Sequence, residues 1–109
     1  MYTVYMVRTS RGNLYTGISK DVHKRVFLHN SGKGSKCLRG QLPVKLVWES
    51  PTMSRSEALR VEHGIKVIGR QNKQDIIEGR LVLYRTGSKA WSFALCEVLE
   101  IIPNGCDWL

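Results

Sequence analysis

Two runs rich in β-branched and aromatic residues stand close together near the start of the chain: Tyr2-Thr3-Val4-Tyr5-Met6-Val7 and Leu14-Tyr15-Thr16-Gly17-Ile18. Ser10-Arg11-Gly12-Asn13 separates them. Gly and Asn tolerate positive φ and Ser can bond its own backbone, so this is turn chemistry between two strands. Side chains alternate across a strand, which places Tyr5 with Thr3 and Val7, and Tyr15 with Asn13 and Gly17. A loop of odd length, such as Ser10 to Gly12, puts Tyr5 and Tyr15 on one face of the hairpin. An even loop puts them on opposite faces. The functional reading below requires the odd loop.

Asp21 is placed to cap a helix beginning at Val22. Val22, Val26 and His29 recur at helical spacing, and Arg25 lies one turn before His29, so all four share a face. That face should turn toward the sheet, where a charged Arg needs a partner or a task because burying an unpaired charge is costly. Residues 30–40, with Gly32, Gly34 and Gly40 among Lys33, Lys36 and Arg39, read as a flexible basic loop. Free backbone N–H groups and cations suit phosphate oxygens. The spacing is not that of a Walker A loop. Val44–Glu49 alternates as a third strand, between Pro43 and Pro51.

Ser54-Arg55-Ser56-Glu57 is a capping box and opens a helix expected to run to Ile68. Its inward stripe is Ala58, Val61, Ile65 and Ile68, and Glu62 falls on that same side. A carboxylate there is unusual. It is either a helical pair with Lys66, worth about 0.2–0.5 kcal/mol on an exposed surface, or a metal ligand. Asn72 to Glu78 reads as a short helix and Leu81 to Tyr84 as strand or extended chain. Trp91, Ala94, Leu95, Val98 and Ile102 recur at helical spacing, so 89–101 is expected to form a closing helix. Trp91 to Leu95 also alternates, which admits a strand.

Charge sharpens the functional classes. Residues 1–48 hold nine Lys/Arg and one acid, a net of +8, which is the whole formal charge of the chain; residues 49–109 hold eight of each sign. An excess gathered in the half that carries both tyrosines points to a polyanion, most often nucleic acid. Cys37, Cys96 and Cys106 form no CxxC pair, which fits a reducing compartment and argues against a disulfide scaffold or a zinc site. No apolar run approaches the ~18 residues of a membrane span, and no signal-peptide pattern opens the chain. A cytoplasmic, intracellular location and no membrane partner are therefore expected.

These pieces, in this order, resemble the GIY-YIG nuclease superfamily, especially its small stand-alone members. The first motif stands here as Thr3-Val4-Tyr5 and the second as Tyr15-Thr16-Gly17. Arg25 and His29 follow, then the Ser-Gly-Lys-Gly loop at 31–34, then Ala58-Leu59-Arg60-Val61-Glu62 on a helix. Thr3 replaces the Gly of the first motif and Thr16 the Ile of the second. The family often carries a late Asn; Asn72 has unconvincing spacing and is left out of the site.

The resemblance implies an α+β fold, a three-stranded antiparallel sheet flanked by helices, over residues 1–80, with 81–109 an extension packed on the same domain. It implies a metal-dependent endonuclease acting on DNA in repair, recombination or processing. Tyr5, Tyr15, Arg25, His29 and Glu62 would be catalytic, with Glu62 holding Mg²⁺ or Mn²⁺. Lys33, Lys36 and Arg39 would bind the nucleic acid. Tyr5 is the expected base, beside His29, although from sequence Tyr15 could take that role. The alternative is a non-cleaving DNA- or RNA-binding module on the same fold; a weaker one is a basic protein-interaction domain. No module that reads base edges is present in the sequence, so selectivity by shape or strandedness is expected.

Overall fold

In the computed structural model, which describes residues 1–86, 90–95 and 106–107, the hairpin is the framework on which the site is built. Strands β1 (Thr3–Arg8) and β2 (Leu14–Ser19) pair antiparallel, with Tyr5 opposite Gly17 and Val7 opposite Tyr15. Tyr5 and Tyr15 therefore share a face, as the odd loop requires. Strand β3 (Lys45–Glu49) adds to the other side of β1, giving the antiparallel order β2-β1-β3.

Because β1 is central, it is covered on both faces, and Val4, Tyr5, Met6 and Val7 are all buried. Val4 and Met6 point into a core with Met53, Ala58, Val61, Ile65, Ile76 and Leu83. Tyr5 and Val7 point the other way, into a smaller cluster with Val22, Leu38 and Val44. Burial of each such aliphatic side chain stabilises the fold by roughly 1.5–3 kcal/mol.

Helix α1 (Val22–Asn30) covers the tyrosine face, and the Asp21 carboxylate accepts from the Lys24 N–H at its start. Helix α2 (Arg55–Val67) covers the opposite face. Its capping box forms as expected: Ser54 Oγ accepts from the Glu57 N–H, and Glu57 accepts from the Ser54 N–H. Helix α3 (Arg70–Ile77) follows directly. Beyond these helices lies a second antiparallel sheet in the order β5-β4-β6, formed by β4 (Leu81–Thr86), β5 (Ala90–Leu95) and β6 (Cys106–Asp107). Leu83 sits in the larger core, with Trp91 and Phe93 packed against it.

Two sequence expectations need correction. Residues 90–95 form a strand, not the start of a helix over 89–101; the rest of that span lies outside the described residues. Trp91 and Leu95 satisfy both periods, and the β4 ladder decides between them. The indole N–H of Trp91 also donates to Glu57 Oε2 at 2.7 Å, which ties β5 to the start of α2. The basic segment 30–40 is not loop throughout, because Lys36–Gln41 winds into a 3-10 helix. Leu38 on that turn is buried beneath the tyrosine face, an anchor that the surrounding Gly, Ser and Lys obscured.

Candidate active site

The Tyr5 ring leans from β1 across β2 over Gly17. A Cβ built at position 17 would lie 2.7 Å from the Tyr5 hydroxyl and 2.9 Å from Cζ. Only a glycine opposite Tyr5 lets the phenol cross the edge strand, so the Tyr-x-Gly spacing is a packing requirement. The Tyr5 ring is 1% exposed, yet its oxygen reaches the place where α1 presents its polar residues.

There it meets His29, whose Nε2 lies 2.8 Å from the Tyr5 oxygen. The Ser35 backbone N–H donates to His29 Nδ1 at 3.3 Å. An imidazole nitrogen that accepts carries no proton, so the proton of neutral His29 sits on Nε2 and is donated to Tyr5. Gly34 makes this possible, since a Cβ there would fall 2.1 Å from His29 Nδ1. Burial first, and the nearby Arg25 charge second, push the His29 pKa below its ordinary value, which keeps the ring neutral at pH 7. The Tyr15 ring meets His29 edge to face, with centroids 5.6 Å apart.

Arg25, half-buried on α1 one turn before His29, sits close enough for its charge to act on both Tyr5 and His29. The Tyr5 pKa is pushed up to about 12, by burial above all and then by the neighbouring Tyr15. The Arg25 charge opposes the rise, while the Glu62 carboxylate adds to it. The field of Glu62 thus reaches Tyr5, although α2 packs on the other face of the sheet. Glu62 is 18% exposed, and its Oε2 lies 3.6 Å from Lys66 Nζ, a loose pair one helical turn apart. The core-facing stripe of α2 is Ala58, Val61 and Ile65, with Ile68 partly buried at its end.

The structure thus gathers Tyr5, Tyr15, Arg25 and His29, with Glu62 in their electrostatic range. Lys33, Lys36 and Arg39 are exposed on the segment after α1, and none joins an ion pair among the described residues. Asn72 stands apart, donating to the Ile68 carbonyl at the start of α3. Sequence reasoning missed three supports. Gly34 and the Ser35 N–H fix the His29 tautomer, but the first read as loop flexibility and a backbone donor leaves no sequence signal. The Asn30 amide bonds both backbone groups of Val44, at 2.7 and 3.1 Å, and locks the end of α1 to the entry of β3.

Glu62 is compatible with a hard divalent cation. Mg²⁺ commonly binds through one or two carboxylates, keeping waters and taking substrate phosphate oxygens for the rest. Among the described residues no group of three His, Cys, Asp or Glu side chains forms a closed metal cage. A single, partly buried carboxylate held only loosely by Lys66 suits an ion shared with substrate.

A family profile described as the GIY-YIG catalytic domain matches residues 1–75. The chain is 44% identical over 78 residues to a UPF0213 protein of Cronobacter sakazakii, covering 72% of this chain and 82% of that one. It is 38% identical over 104 residues to a UPF0213 protein of Photorhabdus laumondii, covering 95% and 89%. Among solved structures, the solution NMR structure of a UPF0213 protein of Bacillus halodurans is similar at 36% identity. It aligns over 73% of this chain and 86% of that one, with a TM-score of 0.48. Among the described residues no helix is long and apolar enough to cross a membrane.

Proposed function

This chain belongs to the GIY-YIG family, a nuclease superfamily, and on that premise we propose that it is a divalent-metal-dependent endonuclease that hydrolyses DNA phosphodiesters. Selection by shape or strandedness, and a role in repair, recombination or processing, are part of the same reading. The observation that carries it is the Tyr5 oxygen receiving the His29 Nε2–H at 2.8 Å, with the Arg25 charge acting on the same phenol.

A donor on the phenol oxygen and a cation close by favour its anion and leave the proton as the group to be exchanged. Ionised Tyr5 takes a proton from the attacking water, the water oxygen bonds to phosphorus, and the bond to the leaving oxygen breaks. Arg25 holds the non-bridging phosphate oxygens with its planar fork. Tyr15, edge-on to His29, orients water or phosphate. His29 stays neutral and holds the Tyr5 oxygen in place. Glu62 would hold Mg²⁺ or Mn²⁺, which when bound stabilises charge on the leaving oxygen. Tyr5 rather than Tyr15 is assigned as base because His29 donates to Tyr5.

The test is cleavage of single-stranded, duplex and branched DNA by purified protein with Mg²⁺, with Mn²⁺ and with EDTA. Cutting should require the metal. Arg25→Ala and Glu62→Gln should each lower the rate by about 10²–10³ or more, with DNA affinity changed by less than about tenfold. A non-cleaving DNA-binding module is the second reading, favoured by the Lys66–Glu62 pair, which already partly neutralises the carboxylate. If wild-type protein cuts none of these substrates with either metal, that reading replaces the first.

A further inference from the structure

We propose that a cleft between the hairpin turn and the start of α3 is a second contact for the DNA backbone, binding a phosphate about three nucleotides from the scissile one. This rests on the nuclease reading. The cleft, about 350 Å³, is lined by Asn13, Leu14, Gln41, Arg70 and Lys73. Its charged lining residues are both cations.

Three observations give it this role. The first is how charge is sorted along α3 and the turn that follows. Asp75 and Glu78 are both engaged by Arg80, on the far side of the helix end. Arg70 and Lys73 are left without an ion pair among the described residues, and Arg11 is exposed on the adjacent turn. Cations held together without acids attract a polyanion.

The second observation is rigidity. Gln41 Oε1 accepts from Thr9 Oγ1 at 2.9 Å and from Asn13 Nδ2 at 2.8 Å, while its amide donates to the Cys37 carbonyl at 3.0 Å. The Ser10 N–H donates to the Gln41 carbonyl at 3.0 Å. Arg70 reaches the Gly12 carbonyl at 3.3 Å, and Arg8 donates to Gln74 of α3 at 2.6 Å. The cleft is therefore braced on two sides, and Arg70 is held in place before a strand arrives.

The third is position. Leu14 opens β2 and Gly17, beneath the Tyr5 hydroxyl, lies three residues along it. At roughly 3.3 Å per residue this is about 10 Å, close to three base steps at about 3.4 Å of axial rise. Gln41 also ends the 3-10 helix that carries Lys36 and Arg39. The exposed cations of that segment thus lead into the cleft, extending a basic track past the reactive centre.

The experiment compares Arg70→Gln/Lys73→Gln with Arg70→Lys/Lys73→Arg, both in the Glu62→Gln background so that binding is read without cutting. Labelled duplex and single-stranded oligonucleotides are titrated by fluorescence anisotropy across a series of KCl concentrations. Neutralising both cations should reduce the log–log salt slope by about 0.9 for duplex and about 0.7 for single strands, the share of one phosphate, and the charge-conserving pair should restore it. Circular dichroism melts confirm folding, since neither residue belongs to the core. An unchanged slope in the neutral variant overturns the cleft while leaving the cleavage assay to judge the nuclease reading. A reduced slope in a protein that never cuts supports the cleft and removes the nuclease reading.

Discussion

Between residues 1 and 48, nine cations face one acid, and no described ion pair includes any of them. Between 49 and 109 the signs balance eight against eight, and the four described pairs all lie between Glu57 and Arg85. In the second region charge is used for structure: Glu57 closes the capping box, accepts from Trp91 and attracts Arg85, which also stacks on the Trp91 ring at 4.8 Å. In the first region the cations stay out of ion pairs, and buried Tyr5 with His29 is the pair on which the proposed chemistry rests. Exposed ion pairs contribute little stability, so leaving cations unpaired in one half costs the fold little while keeping them free for a polyanion.

Adding one methyl group to each region gives the largest contrast. Gly17→Ala should displace the Tyr5 phenol and lower cleavage about 100-fold, the scale expected of an ångström-sized misplacement. Gly64 in α2 has open space where its Cβ would stand, so Gly64→Ala should stabilise the protein by about 0.5–1 kcal/mol and leave the rate per folded molecule unchanged. Steady-state cleavage and chemical denaturation of both variants check this. Equal losses of rate would erase the distinction between a reactive and a structural half.

The next contrast is in pH. Tyr5 titrates at about 12, so its ionised fraction, and with it the cleavage rate, should rise about tenfold per unit between pH 7 and 9. His29 is depressed below the ordinary 6.5, so no inflection from it should appear near pH 6.5. Stability follows the same groups. The raised phenol of Tyr5 contributes fully below its unfolded value near 10 and loses that contribution as pH climbs toward 12. The depressed His29 contributes fully above 6.5 and is lost as pH falls below that value. Tyr5→Phe should remove the alkaline loss, as read from unfolding midpoints at pH 8 and 11. A rate that is flat across pH 7–9 would remove Tyr5 as the base.

The smallest effect lies at Thr16, the residue that replaces the Ile of the second motif. It points away from the tyrosines, is 3% exposed, and its hydroxyl has no protein partner. Thr16→Val should raise stability by about 1 kcal/mol, without changing cleavage, in paired denaturation and rate measurements.

Much of this molecule is local and therefore readable along the chain. The two strands and their turn, Asp21 and the Ser54–Glu57 box that start their helices, and the helical spacing that puts Arg25 beside His29 are all readable; the ladder register then decides that Tyr5 and Tyr15 share a face. Each readable feature depends on residues within a few positions of one another, where steric preference and hydrogen-bond reach leave few choices. What only tertiary structure decided involves partners far apart in sequence. The β4 ladder and the Glu57 carboxylate make a strand of Trp91–Leu95, a segment whose pattern fits two periods. The Ser35 N–H, brought under the ring by Gly34, chooses the His29 tautomer and so makes Tyr5 the acceptor. Neither the depth of burial that raises the Tyr5 pKa nor the reach of Glu62 to it is encoded in any spacing, because both depend on how the two faces of β1 are covered.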